Sequence, residues 1–164
     1  MNSDFESKAE LPVGGRRRFL ATLCVPAFLI GSSGVASASN RRDSPIVQPE
    51  PPNEAGFMQR AIEMRQVAID QGDQAYGAVV VRDGVIVGQS WSRVILDHDP
   101  TGHAEMAAIR DAAKRLRDRN LRGSIIYSSS RPCPMCEAAA YWSGISEMVY
   151  GRGLDRAGPP DLCG

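Results

Sequence analysis

The chain is expected to fold as a layered α/β domain, and three features carry that expectation. Two β-branched runs face each other across Asp83-Gly84, which reads as a hairpin. Further short strand-like runs alternate with segments of helical period, so parallel strands joined by crossover helices should complete the sheet. The composition suits a buried core: 43% of the 164 residues are hydrophobic and 23% are charged. That length allows one domain of ordinary size.

Taken in order, residues 1–38 read as a secretory signal. Gly15-Arg16-Arg17-Arg18-Phe19-Leu20 opens an apolar run over residues 19–30, and Ala36-Ser37-Ala38 supplies an A-x-A cleavage site. The run is shorter than the roughly 20 apolar residues that span a bilayer, and Pro26 interrupts it, so no stable membrane anchor is expected. The arginines followed by Phe-Leu resemble a twin-arginine signal, with an ordinary secretion signal as the alternative. The protein is therefore expected to be exported, to the periplasm or the extracellular space. Cleavage would remove four basic and three acidic residues, leaving 15 and 16, a net charge of −1. A domain so near neutrality lacks the basic field of a nucleic-acid binder, so no nucleic-acid partner is expected.

Residues 39–54 hold Pro45, Pro49, Pro51 and Pro52 among polar residues and read as an extended linker. The domain proper is expected over residues 55–151. Phe57, Ala61, Met64 and Ala68 share one helical face, and Gly72 closes that segment. Residues 78–81 and 85–88 form the hairpin strands. A loop then leads to a second helix over residues 103–117, with Met106, Ile109, Ala113 and Leu116 as its buried stripe. Residues 124–127 read as a strand, and 128–131 as a turn. Pro134 suits the first position of a third helix, whose stripe is Met135, Ala138, Ala139 and Trp142. A last strand covers residues 147–150, and the Gly/Pro-rich residues 152–164 read as a flexible tail.

Two motifs fall at the starts of the second and third helices. His103-Ala104-Glu105 and Pro132-Cys133-Pro134-Met135-Cys136 together offer one imidazole and two thiolates. Three protein ligands with an open fourth position is the arrangement of catalytic zinc, whereas structural zinc usually closes with four. His103, Cys133 and Cys136 are thus the candidate zinc ligands. Glu105 is the candidate proton carrier for a water in the fourth position. The Cys pair alone would also suit a redox centre or half of a structural zinc site. The pairing with H-x-E is the pattern of zinc-dependent base deaminases.

Residues 57–151 resemble the cytidine/deoxycytidylate deaminase superfamily, in particular the branch of guanine deaminases and tRNA adenosine deaminases. Tyr76-Gly77-Ala78-Val79-Val80 is similar to the first strand of that family. Asp99-Pro100-Thr101-Gly102-His103-Ala104-Glu105 and Pro132-Cys133-Pro134-Met135-Cys136 are similar to its two zinc motifs, and Ala140-Tyr141-Trp142 is closer to guanine deaminases. The resemblance implies a three-layer α/β/α fold with a central mixed sheet, shortened at its C-terminus. It also implies a homodimer, a Zn²⁺ cofactor and hydrolytic conversion of an amine to a carbonyl on a nucleobase or nucleoside, with release of ammonia. Guanine is the first expected substrate and cytosine or a related base the second.

Three departures from the family pattern stand out. Ser92, in Trp91-Ser92-Arg93, occupies the position of an Asn that commonly touches the base; Ser92 and Trp142 are the candidate substrate contacts. Arg131 precedes Pro132 where this branch usually has Glu, and the sequence ends 28 residues after Cys136. On these departures rests the alternative expectation of a weak or inactive zinc-holding protein that acts as a binding module.

Overall fold

The computed structural model describes residues 45–157. The expected signal, residues 1–38, the first part of the expected linker, residues 39–44, and the last part of the expected tail, residues 158–164, lie outside the described residues. The elements are α1 (Glu54–Asp70), β1 (Gly77–Arg82), β2 (Val85–Trp91), α2 (Ala104–Leu116), β3 (Ser124–Ser128), α3 (Pro134–Ser143), β4 (Glu147–Tyr150) and β5 (Asp155–Arg156). The sheet order is β2-β1-β3-β4-β5.

The hairpin forms where the sequence places it. Arg82 pairs with Val85, and Asp83 and Gly84 between them have φ values of 52° and 74°. Positive φ at both central residues is a type I′ turn, which matches the strand twist and which an Asp-Gly pair adopts readily. Farther along, Val80 pairs with Gly88 and Val81 with Ile86, which leaves Val87 as the extra residue of a β-bulge. β1 also runs antiparallel to β3, while β3 and β4 are parallel and are joined by α3. The sheet is therefore mixed, as expected.

Successive side chains of β1 point to opposite faces, and each face has its own core. Val79 and Val81 pack with Phe57, Met58, Ala61, Met64 and Ala68 of α1. Ala78 and Val80 pack with Ala104, Ala108, Ile109 and Ala112 of α2 and with Ala140 of α3. One helix on one face and two on the other make the three layers. The strong apolar character of β1 follows from its interior place in the sheet, covered on both faces.

Four details differ from the sequence reading. In α2 the buried line is Ala104, Glu105, Ala108, Ile109 and Ala112, rotated from the expected stripe because small side chains let the helix lie close to β2. In α3 only Cys136 and Ala140 are buried; Trp142 is 74% exposed rather than part of the apolar stripe. Part of the expected linker lies fixed along the β2 edge. There the Gln48 side-chain amide donates to the Ile86 carbonyl at 2.9 Å and accepts from the Ile86 N–H at 2.8 Å. Within the expected tail, Asp155 and Arg156 form β5 against β4, and Arg156 pairs with Glu147 and Glu54.

Candidate metal centre and catalytic site

The site forms where α2 and α3 begin. His103 is the N-cap of α2 and Cys133 the N-cap of α3, both in extended backbone conformation. Neither side chain caps its own helix. Both are thereby left to point at a common centre, which Cys136 reaches from the first turn of α3. Pro134, directly after Cys133, fixes the entry into α3 without the loss of a needed N–H. The positive ends of two helix dipoles favour thiolate ligands and negative charge at this point.

Loop contacts set the approach to His103. Asp99 accepts from the Thr101 N–H and hydroxyl at 2.8 and 2.7 Å, and the Gly102 N–H donates to the Asp99 carbonyl at 2.9 Å. The Thr101 hydroxyl and N–H hold the Asp99 carboxyl below the usual carboxylate range. The Arg93 N–H donates to the Gly102 carbonyl at 2.7 Å and closes the loop. Its middle is tied down by Asp73, whose carboxylate accepts from the Ile95 and Leu96 N–H groups at 3.1 and 2.9 Å.

His103 Nδ1 lies 3.6 Å from Cys133 Sγ and 3.7 Å from Cys136 Sγ, and the two sulfurs are 3.7 Å apart. Zinc bonds of about 2.3 Å to sulfur and about 2.0–2.1 Å to nitrogen, at tetrahedral angles, give edges of about 3.6 Å (N to S) and about 3.8 Å (S to S). The triangle therefore has the size that zinc requires. A disulfide is excluded, because its S–S bond is about 2.05 Å. Burial pushes the Cys136 thiol up, and the nearby charges of Glu105 and Cys133 add to this. A bound divalent cation reverses that balance, since a coordinating thiol is deprotonated outright.

Glu105, 5% exposed, sits beside the triangle in the first turn of α2. Its Oε2 lies 3.6 Å from Cys136 Sγ, and its Oε1 accepts from the Ser128 hydroxyl at 2.8 Å. The structure thus brings together His103, Glu105, Cys133 and Cys136, all four residues expected at the centre. It does not bring Trp142 there, which lies about two and a half turns along α3 from Cys133. Ser92 follows β2, is fully buried, and donates its N–H to the Tyr76 carbonyl at 3.0 Å. Arg131 is exposed.

The sequence reading missed Ser128 and Asp73. The sequence reads residue 128 as part of a turn, yet it ends β3 on the same face as Ile126. Extending the period-two alternation by one step would have aimed it at α2. Asp73 carries no such signal, because its partners are backbone N–H groups some 20 residues away.

Residues 52–152 match the family model for the cytidine and deoxycytidylate deaminase zinc-binding region. The chain belongs to that family. It is 38% identical over 99 residues to guanine deaminase of Bacillus subtilis, covering 60% of this chain and 64% of that protein. It is 39% identical over 95 residues to a tRNA-specific adenosine deaminase of Buchnera aphidicola, covering 58% of this chain and 59% of that protein. The chain thus spans about three fifths of the length of these relatives. The crystal structure of the Bacillus subtilis guanine deaminase is similar with a TM-score of 0.58 at 38% identity, covering 60% of this chain and 64% of that one. For this deaminase-family domain the α/β layering and the zinc-compatible group agree with the family.

Proposed function

We propose that this chain is a zinc-dependent hydrolytic deaminase of a nucleobase or nucleoside, with guanine as the first substrate and cytosine or a related base as the second. The observation that carries the reading is the buried Glu105 carboxylate beside a His/Cys/Cys triangle with zinc edge lengths. When bound, zinc lowers the pKa of a water ligand from 15.7 towards about 7. His103, Cys133 and Cys136 would hold the metal. Glu105 would take one proton from the attacking water and pass it to a ring nitrogen of the base, then take the second from the hydroxyl now on the carbon and pass it to the departing ammonia, so that the water supplies both protons. The carbon exchanges its amino group for a carbonyl oxygen. Burial of Glu105 limits exchange of that proton with solvent.

Guanine is preferred because of the Ala140-Tyr141-Trp142 sequence and the likeness to a guanine deaminase. A small molecule is favoured over RNA by the near-neutral charge of residues 39–164. Ser92, from an enclosed position, and Trp142, as a wall completed across a homodimer, are the proposed base contacts. The proposal includes export from the cytoplasm, which the basic, apolar and A-x-A segments of residues 1–38 support. Among the described residues no helix is long and apolar enough to cross a membrane.

The test is ammonia release by the zinc-loaded protein from guanine, cytosine, cytidine, adenosine and transfer RNA. Turnover of guanine above the rest is the expected result. Turnover of the RNA alone would overturn the small-molecule substrate. Absence of ammonia from every compound would leave a zinc-holding binding module.

A further inference from the structure

The two oxygens of Glu105 have different surroundings. Oε1 accepts from the Ser128 hydroxyl at 2.8 Å, and Oε2 lies 3.6 Å from Cys136 Sγ on the side of the metal triangle. A glutamate side chain has several torsions, and the last one, which turns the carboxylate, is broad and weakly determined. Something outside α2 must therefore select one orientation. Ser128 is placed to do so. It ends the central strand β3, paired with Ala78 of β1 on one side and with Tyr150 of β4 on the other. Its carbonyl also accepts from the Gly151 N–H at 3.0 Å. Backbone held on both sides gives the hydroxyl a fixed origin. With 0% exposure, the side chain is sheltered from competing bulk water. A hydroxyl donating to an ionised carboxylate makes a strong, directional bond.

We propose that Ser128 is a positioning residue for Glu105: its hydroxyl pins Oε1 to the sheet, so that Oε2 alone takes and returns the proton. The role rests on the deaminase reading of the site. It follows from a division of labour within one carboxylate. An oxygen that must meet a proton in one place and deliver it in another loses effectiveness if the group also rotates away. Misplacement by about 1 Å can cost as much as 10²-fold in rate. Support from a rigid element keeps such a group in register.

The experiment compares the zinc-loaded full chain with Ser128→Ala and Ser128→Thr. Zinc content, kcat, KM and crystal structures are determined for each. Ser128→Ala should keep one zinc per chain and a KM close to that of the parent, while kcat falls about 10- to 100-fold. In its crystal structure the Glu105 carboxylate should be turned away from its parental position or spread over several rotamers. Ser128→Thr, which keeps the hydroxyl, should restore both kcat and the carboxylate position. Three outcomes overturn the proposal: an unchanged kcat in Ser128→Ala, a Glu105 carboxylate that stays in place without the hydroxyl, or a kcat that falls only in step with lost zinc. If the parent releases no ammonia from any compound, the deaminase reading fails by itself. The position of Glu105 in the crystal structures then decides the role of Ser128.

Discussion

Gly88 of β2 lies so close to Ala112 of α2 that a Cβ on it would stand 2.6 Å from the Ala112 backbone nitrogen. It would also stand 2.7 Å from the Ala108 carbonyl oxygen. Both obstacles are backbone atoms, which a rotamer change cannot move. The helix that carries His103 and Glu105 is thus seated on β2 at van der Waals contact. We predict that Gly88→Ala costs about 1–3 kcal/mol through overpacking, even though alanine suits a strand better than glycine does. Thermal unfolding should show a midpoint lower by about 4 °C or more. An unchanged midpoint would mean that α2 is not held at this distance.

Cys133→Ala should bind well under one zinc per chain. The substitution removes one corner of a triangle with edges of 3.6, 3.7 and 3.7 Å, and two ligands remain. The helix start should survive, because Cys133 makes no side-chain capping bond. Elemental analysis of the purified variant is the check. Zinc retained at the parental level would remove Cys133 from the ligand set.

The elements that were legible in the sequence are those whose determinants are local. Asp83-Gly84 encodes its turn through positive φ, and Pro134 marks the start of α3. The ligand triad was legible because H-x-E and C-x-x-C fix their side chains within one helical turn. Contacts made across the fold were hidden. The hold of Ser128 on Glu105 spans 23 residues of sequence, and that of Gln48 on Ile86 spans 38. The burial of α2 was misjudged for a related reason. A close approach that depends on Gly88 in another strand turns alanines into the buried face, and helical period alone favours the larger Met106 and Leu116.

Asp73 should give the fold an acid limit. Burial opposes its ionisation, but N–H groups of Leu96, Gln74 and Ile95 and the nearby Ser92 hydroxyl prevail and hold its carboxyl below the ordinary value of 3.8. A folded-state pKa below the unfolded one adds stability that is fully present above pH 3.8. That stability is lost as pH falls through the folded value. Asp73→Asn should therefore lower the unfolding midpoint at pH 7 and narrow the gap to the parent as the pH approaches 3. A gap that is constant from pH 7 to pH 3 would show that the charge of Asp73 contributes nothing to the loop at residues 92–99.

Export by the twin-arginine route can be tested on the full chain in a bacterial host. Replacing Arg16 and Arg17 together by Lys should leave the protein in the cytoplasm with residues 1–38 still attached. Normal export of the double variant would leave only the ordinary secretion route. A wild-type protein found uncleaved in the cytoplasm would refute export altogether.

Glu105→Gln should keep the metal and lose turnover. The triangle of His103, Cys133 and Cys136 already supplies three ligands at zinc spacing, so the carboxylate is not required to hold the ion. Glutamine retains the length of the side chain and its place in the first turn of α2. Its amide oxygen can still accept from the Ser128 hydroxyl, so the packing of this buried group changes little. What it lacks is a group that can take up a proton and give it back. Loss of general acid–base help typically lowers the rate by about 10²–10⁴-fold, and in the proposed reaction a single carboxylate serves several transfers. The loss should fall on kcat, with KM much less affected, because the proton is moved in the transition state and not on binding. Zinc content and ammonia release measured on the same preparation separate the possibilities. One zinc with turnover lost assigns the proton to Glu105, zinc lost along with turnover makes Glu105 a support of the metal instead, and full activity with glutamine removes the carboxylate from the reaction.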